Sequence, residues 1–517
     1  MKQVKLAIFF VLFFLSACVK NDNEQQAKGK VLISKNNPIE ALEDREPLSK
    51  PVLDKAFLEI MQRQKDFQWQ WIDDYYFWSA VKAVEPIVAI GYKPMSAKEN
   101  IGDYIHEIDI QSPEWKAVHD ELLAFIKTEL VEIQGDKFNE DELIYEDDKQ
   151  LPRIVVRLDN YEVLAKLRRL ENIRYIEPLD YDFTESGERS SSGCSGTAVS
   201  ALPAGDYTTT SPNAIVPWNF TAMNIPNAWN ITGAKNGTGI TIGVIDAGIS
   251  SSQALLNGQF NNGLSTGRSV NVGYTLGTSA FTSCTHGTSM AGLATGPRNS
   301  NGSTMGVAWK SNLHFIRACD DVVLETAGER TGVKNALIQM GDNANIRIIS
   351  MSIGTPFSSG TLEDGVNYAY NKGKLIFAAG GTSFSWTSWW GVIYPAKLDK
   401  CVAMTGIKEN GSTCTVCHDG SEIDFTVTME RNVNSDRTSL SYHTSGNLPS
   451  YVGGSSCATA MGAGMASLVW SAKPTLTRDQ VLNILKVNAQ YYPNKNSTYG
   501  WGKINPVAAV NQALSMP

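Results

Sequence analysis

The chain is poor in several kinds of residue, and each shortage excludes a class of protein. Its 517 residues include only 8 cysteines, which is too sparse for a small scaffold held together by disulfides. Lys and Arg number 45 against 53 Asp and Glu, a balance that argues against a nucleic-acid partner. Charged residues make up only 19% and apolar residues 42%, so the chain is not intrinsically disordered. A globular protein of several domains remains, at about 100–200 residues each.

Apolar runs of membrane-spanning length are also missing after the first seventeen residues. Residues 1–17 combine two early lysines, an apolar run and a small-residue end, which is typical of a secretory signal peptide. The sequence Leu-Ser-Ala-Cys ending at Cys18 also resembles a bacterial lipobox, in which that cysteine becomes the lipid-bearing first residue. Ordinary cleavage near Ala17 is the alternative. We expect an exported protein, lipid-anchored at the outer membrane or cell surface of a Gram-negative bacterium.

The rest of the chain divides by composition into four parts. Residues 18–50 are polar with Asn-Pro and Glu-Pro steps, which predicts a tether. Residues 51–185 form a separate N-terminal domain, in which Asn160 is a plausible cap of a helix between two strands. Residues 186–219 are rich in Ser, Thr, Gly and Pro and predict an exposed linker. Within the N-terminal domain, the acidic stretch 129–149 predicts a solvated surface.

Residues 220–517 have a different pattern of apolar and small residues. From Thr238 onward, short apolar strands alternate with helices rich in glycine and alanine. Strands that alternate with helices in this way predict βαβ units and a parallel sheet. The expected fold class is therefore α/β, a doubly wound parallel sheet preceded by a small α+β domain.

Three short motifs in this part each contain a candidate catalytic residue. Asp246 ends an apolar strand, where active sites of open α/β sheets form, although a helix cap is a common alternative. His286, one of only 6 histidines, opens a helix whose dipole disfavours the cation, although a structural histidine is the alternative. Ser456 follows glycines at the start of a buried helix with free N–H groups, although a serine N-cap would look the same.

The combination is more specific than any single motif. A serine hydroxyl needs a base to remove its proton, and that base needs an acid to orient it. The order Asp246, His286, Ser456 is the subtilisin order, and Gly-x-Ser-x-Gly is absent around Ser456. Residues 220–510 thus resemble the subtilisin-like serine proteases (subtilases, peptidase family S8).

That resemblance implies an endopeptidase that acts on proteins or peptides through an acyl-enzyme. Asp246 would orient the base, His286 would act as base and acid, and Ser456 would be the nucleophile. No cofactor or metal site is required, although many subtilases hold calcium. The segment containing Ser350, Met351, Ser352 and Gly354 would pair with the substrate backbone as an added strand.

The resemblance also extends to the end of the N-terminal domain. Residues 153–182 are similar to the end of a subtilase propeptide, so this domain would inhibit the enzyme and assist its folding. Cleavage would then fall within 183–220. The segment 499–506 is similar to the closing segment of the family.

One position departs from the family pattern. Gly381 stands where subtilases supply a second oxyanion donor from an asparagine. Removing that donor in subtilisin costs about 10²–10³ in turnover. Either Thr382, Ser383 or another side chain replaces it, or the enzyme is slow. The alternative function is a catalytically weak or silent binding module on the same fold, and an esterase or transferase using the same residues is a third.

The cysteines leave several possibilities open. Seven remain after Cys18, so at least one is unpaired. Cys414-x-x-Cys417 followed by His418 suits a tight bridge, half a metal site or haem attachment, and we favour the bridge. A pairing of Cys284 with Cys319 is also expected. Cys457 is expected to be a small packing residue. The three tryptophans at 386, 389 and 390 are expected to form either an aromatic wall near the substrate or a loop that packs on itself.

Overall fold

A computed structural model describes residues 45–183, 193–383 and 391–517. The predicted signal peptide, Cys18, nearly all of the tether and the three tryptophans of 386–390 lie outside these described residues. The described helices are, in chain order, α1 (Lys50–Gln64), α2 (Asp74–Lys82), α3 (Pro113–Gln134), α4 (Tyr161–Leu167), α5 (Trp218–Ala222), α6 (Ile225–Thr232), α7 (Thr285–Thr295), α8 (Ala327–Asp342), α9 (Gly360–Asn371), α10 (Gly454–Ala472), α11 (Arg478–Val487) and α12 (Pro506–Ser515).

The strands form two large sheets and two small hairpins. In chain order they are β1 (Ile87–Tyr92), β2 (Ile144–Asp147), β3 (Arg153–Arg157), β4 (Ile173–Pro178), β5 (Tyr207–Thr210), β6 (Ala214–Pro217), β7 (Thr241–Asp246), β8 (Val270–Tyr274), β9 (Asn312–Arg317), β10 (Ile346–Met351), β11 (Leu375–Ala379), β12 (Val402–Lys408), β13 (Phe425–Glu430), β14 (Ser439–Tyr442) and β15 (Pro449–Val452).

The larger sheet is parallel and has seven strands in the order β13-β12-β11-β10-β7-β9-β8. Its strands are short apolar runs, and five of them are buried along nearly their whole length, as expected when helices cover both faces. The strand order reverses beside β7, and ligands bind at such switch points, beyond the carboxyl ends of the strands. The predicted α/β class and doubly wound sheet are confirmed.

Helix α10 runs through the centre of this domain. Eighteen of its nineteen residues are buried, and the exception is Ser456 in the first turn. Small residues make that burial possible, because a side chain at Gly464 would come within 2.6 Å of Val307. The apolar run therefore predicted the helix, and its small side chains set how closely the sheet approaches it.

The N-terminal part is an α+β unit with an antiparallel sheet in the order β2-β3-β1-β4. Asn160 caps α4 as expected, since its side chain accepts from the Val163 amide at 3.1 Å. The sheet faces helices α8 and α9 of the larger domain. Arg174 forms a bidentate ion pair with Asp364 of α9, with N–O distances of 2.8 and 2.7 Å.

Carboxylates of the N-terminal part also cap both of these helices. Glu177 accepts hydrogen bonds from the amides of Gly360 and Thr361 at 3.0 and 2.9 Å, at the start of α9. Asp180 accepts from the Ala327 amide at 2.8 Å, at the start of α8. The free N–H groups of a helix start favour anions, so both contacts are electrostatically matched.

The acidic stretch 129–149 differs from the expectation of a fully solvated surface. Asp148 is buried and pairs with Lys334 of α8 and with Arg153. Burial alone would raise the pKa of Asp148, but these two cations hold it below its usual value. Glu146 contacts the same two cations. The correct partners were invisible in sequence because Lys334 lies almost two hundred residues away.

Candidate active site

Asp246 and His286 meet at the carboxyl end of β7. The Nδ1 atom of His286 lies 2.8 Å from Oδ1 of Asp246, and this oxygen also accepts from the Ala247 amide at 2.8 Å. Asp246 is fully buried and His286 is 8% exposed, so the pair is shielded from water. An acceptor on Nδ1 fixes that nitrogen as the protonated one and leaves Nε2 free to act as a base.

The approach of α7 to β7 is what makes this contact possible. Gly287 follows the histidine, and a Cβ at this position would lie 2.2 Å from the Gly248 carbonyl oxygen and 3.1 Å from Oδ1 of Asp246. Burial disfavours the charged form of His286, but the Asp246 carboxylate outweighs it, so the pKa of His286 is raised above 6.5. The imidazolium that forms when His286 takes a proton is therefore stabilised in place.

Ser456 lies across the same cleft. It is the third residue of α10, so its backbone N–H has no partner within the helix. Its hydroxyl donates to the Ser352 carbonyl oxygen at 3.4 Å, while the Ser352 hydroxyl donates to the Ser456 carbonyl at 3.1 Å. Ser456 and His286 both line a cleft of about 510 Å³. The structure thus brings all three predicted residues to one site.

The expected substrate-pairing segment is only partly available. Ser350 and Met351 are inner-strand residues of β10, with β7 on one side and β11 on the other. Their backbones are already committed to the sheet, so the expectation for these two residues is corrected. Ser352 and Gly354 do line the cleft.

The backbone of Gly354 already has partners. Its amide donates to the Val322 carbonyl at 2.9 Å, and its carbonyl accepts from the Leu324 amide at 2.9 Å. A substrate strand would therefore have to displace residues 322–324 before it could use these groups. The sequence missed this because residues 322–324 carry no motif.

Gly381 has a backbone that an asparagine would not readily adopt. Its φ is +125°, and a Cβ there would lie 2.2 Å from Nδ1 of His418. Burial lowers the pKa of His418 to about 4, so this imidazole is neutral. The space that a side chain at 381 would need is already filled.

Thr382 lies against the start of α10. Its Oγ1 accepts from the Ser455 amide at 3.2 Å and lies 3.1 Å from the Ser455 hydroxyl, which in turn accepts from the Gly381 amide at 3.0 Å. Thr382 lines the cleft together with Ser456 and His286. Gly381 and Thr382, the predicted oxyanion region, are thus adjacent to the nucleophile helix.

Residues 193–199, which we call the strap, lie along the same cleft. A Cβ at Gly193 would be 2.6 Å from Cδ2 of His286, which places the strap directly beside the imidazole. The Thr285 hydroxyl donates to the Gly193 carbonyl at 3.0 Å and accepts from the Gly196 amide at 2.9 Å. At the other end, the Val199 amide donates to the Pro449 carbonyl at 2.8 Å.

A disulfide holds this strap in place. Cys284, which lies two residues before His286, bonds to Cys194. The expected pairing of Cys284 with Cys319 was wrong. Cys319 is a buried free thiol whose pKa is raised well above its usual value by burial and neighbouring carboxylates. The expectation erred because Cys194 lies in a Ser- and Gly-rich stretch assigned to a linker. The odd cysteine count was the only sequence signal that another partner existed.

The remaining cysteines behave more simply. Cys414 and Cys417 form a disulfide, which is the favoured alternative for the Cys-x-x-Cys-His motif. Cys457 is buried beside the nucleophile, and burial raises the pKa of its thiol to about 12, consistent with a packing role. Across the described ranges, no group of three or more His, Cys, Asp or Glu side chains is placed to hold a metal ion.

Within residues 45–183, 193–383 and 391–517, no helix combines the length and apolar character needed to cross a bilayer.

Comparisons with known proteins identify a family for part of the chain. The subtilase family model matches residues 237–502, about half of the chain. A thermostable alkaline protease of Halalkalibacterium halodurans is 31% identical over 292 residues, covering 56% of this chain and 72% of that protein. Subtilisin E of Bacillus subtilis is 32% identical over 294 residues, covering 57% of this chain and 71% of that protein.

A solved structure is also similar. The crystal structure of MycP1 from Mycobacterium smegmatis is 19% identical with a TM-score of 0.45, covering 59% of this chain and 88% of that one. On the family model and the sequence relatives, the chain belongs to the subtilase family and is a serine-type endopeptidase.

Proposed function

We propose that this protein hydrolyses peptide bonds with Asp246, His286 and Ser456 as its catalytic residues. The observation that carries the proposal is the hydrogen bond between Asp246 and His286, since His286 lines the same cleft as Ser456. An acid, a base and an alcohol in this relation form the arrangement that activates a serine nucleophile.

The reaction follows from these positions. Ser456 rotates away from the Ser352 carbonyl, and Nε2 of His286 takes its proton as Oγ attacks the scissile carbonyl carbon. Asp246 stabilises the imidazolium that forms. The Ser456 N–H, unpaired at the start of α10, donates to the developing oxyanion. His286 then protonates the leaving amine, and water activated by His286 releases the acyl group from Ser456.

The test is a comparison of Ser456→Ala with Ser435→Ala, since both residues line the cleft. We expect Ser456→Ala to abolish hydrolysis of a fluorogenic casein substrate and labelling by a fluorophosphonate probe, with Ser435→Ala close to the unchanged protein. Equal hydrolysis by Ser456→Ala would refute the assignment. A folded protein that neither hydrolyses nor labels would instead support a silent binding module.

We further propose that the N-terminal domain is a propeptide that inhibits the enzyme and assists folding. It caps α8 and α9, and its described part ends at Phe183, ahead of the strap at the cleft. Mass spectrometry should then find a cut between residues 183 and 220 in the unchanged protein and none in Ser456→Ala. A cut that persists in Ser456→Ala would show that another protease makes it.

Export and anchoring are also proposals, and they rest on residues 1–18 alone. Removal of the signal peptide would leave Cys18 as the lipid-bearing first residue, with residues 18–50 as a tether outside the cytoplasm. Cys18→Ala should move the protein from the membrane fraction to the soluble fraction of cells. No cofactor is required by this mechanism, and calcium binding would have to be measured directly.

A further inference from the structure

The site has an unexplained feature, since Gly381 offers no side chain to an oxyanion. A single donor, the Ser456 N–H, would leave the second position of the oxyanion hole empty. An asparagine cannot simply be restored at 381, because the φ of +125° and the His418 ring both oppose it. If the proposed reaction is correct, another group must supply the missing hydrogen bond or the enzyme is slow.

The Thr382 hydroxyl is the best-placed group. Its oxygen lies at the first turn of α10, 3.2 Å from the amide nitrogen of Ser455, the residue immediately before the nucleophile. A Cβ built at Gly454 would come within 2.5 Å of this oxygen, so the hydroxyl is in close contact with the helix start. Thr382 is half-buried and lines the cleft, so it is accessible to a bound substrate.

The local hydrogen bonds leave this hydroxyl a proton to give. Ser455 Oγ accepts from the Gly381 amide and can donate its own proton to Thr382 Oγ1. Thr382 Oγ1 also accepts from the Ser455 amide. When Ser455 is the donor of this pair, both lone pairs of Thr382 Oγ1 are engaged and its O–H can point into the cleft.

The neighbouring candidates are less well placed. Thr382 pairs with Cys417 in an extended segment, in which successive side chains point to opposite faces. Ser383 also lines the cleft, but its buried hydroxyl has no hydrogen-bond partner in the described structure, whereas Thr382 Oγ1 accepts from the Ser455 amide at the start of α10. His418 is 1% exposed and packs behind Gly381, where it fills space that a side chain would need.

We propose that the Thr382 hydroxyl is the second oxyanion donor of this enzyme and takes the place of the absent asparagine. This inference rests on the proposed function, because it assigns a role in the same acyl transfer. Thr382 would donate to the tetrahedral oxygen alongside the Ser456 N–H and would contribute little to binding of the ground state.

The test compares Thr382→Val, which removes the hydroxyl and keeps the shape, with Thr382→Ser, which keeps the hydroxyl. Thr382→Val should lower kcat about 10²-fold with KM changed less than about threefold, as for the loss of one oxyanion donor. Thr382→Ser should retain most of kcat. Ser435→Ala, at another serine that lines the cleft, is the control and should resemble the unchanged protein.

A peptide boronic acid separates this role from a structural one. Its tetrahedral oxygen occupies the oxyanion position, so its affinity should fall with Thr382→Val by about the same factor as kcat/KM. The affinity of the product peptide should not change. A misfolded variant would lose affinity for both the boronic acid and the product peptide.

Three outcomes would overturn the inference. One is an unchanged kcat in Thr382→Val, and another is an equal loss in Thr382→Ser. A third is a loss in His418→Phe together with none in Thr382→Val, which would assign the role to the imidazole. Each leaves the proposed function standing as long as hydrolysis still depends on Ser456, whereas hydrolysis independent of Ser456 removes both.

Discussion

The N-terminal domain and the strap contact the protease domain in opposite ways. The domain lies on α8 and α9 through buried charges and helix caps, including Arg174 with Asp364 and Glu177 at the start of α9. The strap lies at the cleft through neutral hydrogen bonds and the disulfide between Cys194 and Cys284. A cut between Phe183 and Gly193 would therefore separate the domain from the strap and leave the strap bonded beside His286.

If the N-terminal domain is a propeptide, we therefore expect its release and the opening of the cleft to be separate events. After such a cut, only noncovalent contacts would hold the domain, whereas the disulfide would hold the strap covalently.

Arg174→Ala should cause the largest loss, because it leaves the buried Asp364 carboxylate without its cation. We expect a decrease of about 3–5 kcal/mol in the free energy of unfolding, the usual cost of breaking a buried ion pair. Urea unfolding in the Ser456→Ala background measures this without self-cleavage.

The matched control for Arg174→Ala is Lys82→Ala. Lys82 forms an exposed pair with Asp159 at 2.8 Å, and its loss should cost less than about 1 kcal/mol. Equal losses in the two variants would show that burial of the Arg174 pair does not matter.

Cys194→Ser should have the next largest effect. The disulfide spans 90 residues, so its loss should reduce stability by about 2–4 kcal/mol. Freeing the strap from His286 should also raise peptide hydrolysis several-fold. The control is Cys414→Ser, which breaks a bridge of sequence separation 3 and should lower stability less. Unchanged hydrolysis in Cys194→Ser would mean that the strap does not obstruct the cleft.

Glu177→Ala should have a smaller effect on the N-terminal side. It leaves the amides of Gly360 and Thr361 without their acceptor, and loss of a cap costs about 2 kcal/mol at most. Asp180→Ala removes a single bond to Ala327 and should cost about 1 kcal/mol. Denaturation curves would contradict this order if Asp180→Ala proved the more destabilising.

The pH dependence of hydrolysis should follow the titration of His286. Hydrolysis needs neutral His286, whose pKa is raised above 6.5 by Asp246, so kcat/KM should rise with pH and level off above that pKa. The change is at most tenfold per pH unit, about 1.4 kcal/mol. A plateau already reached well below pH 6.5 would show that Asp246 does not raise the pKa of His286 in solution.

Much of the protease domain could be predicted from local sequence. The strand ending at Asp246 and the helix opening near His286 were found because apolar periodicity and small residues are local signals. Strand β8 is harder to recognise, because it has partly exposed residues at one sheet edge and lacks a continuous apolar run.

The failures concern contacts between distant residues. Cys284 could not be matched to Cys194 from spacing, because disulfide pairing depends on which sulfurs the fold brings together. Ser350 and Met351 were expected to bind substrate, yet their strand lies inside the sheet. Asp148 and Glu146 belonged to an acidic run whose partners lie on α8.

The sequence alone was enough to identify the family and the three catalytic candidates, because their residue types and order reflect chemistry that tolerates few substitutes. Only the folded chain decided which cysteine faces Cys284, what lies beside His286 and which hydroxyl adjoins Ser455. Those contacts join residues tens to hundreds of positions apart, and only packing of the whole chain brings them within reach.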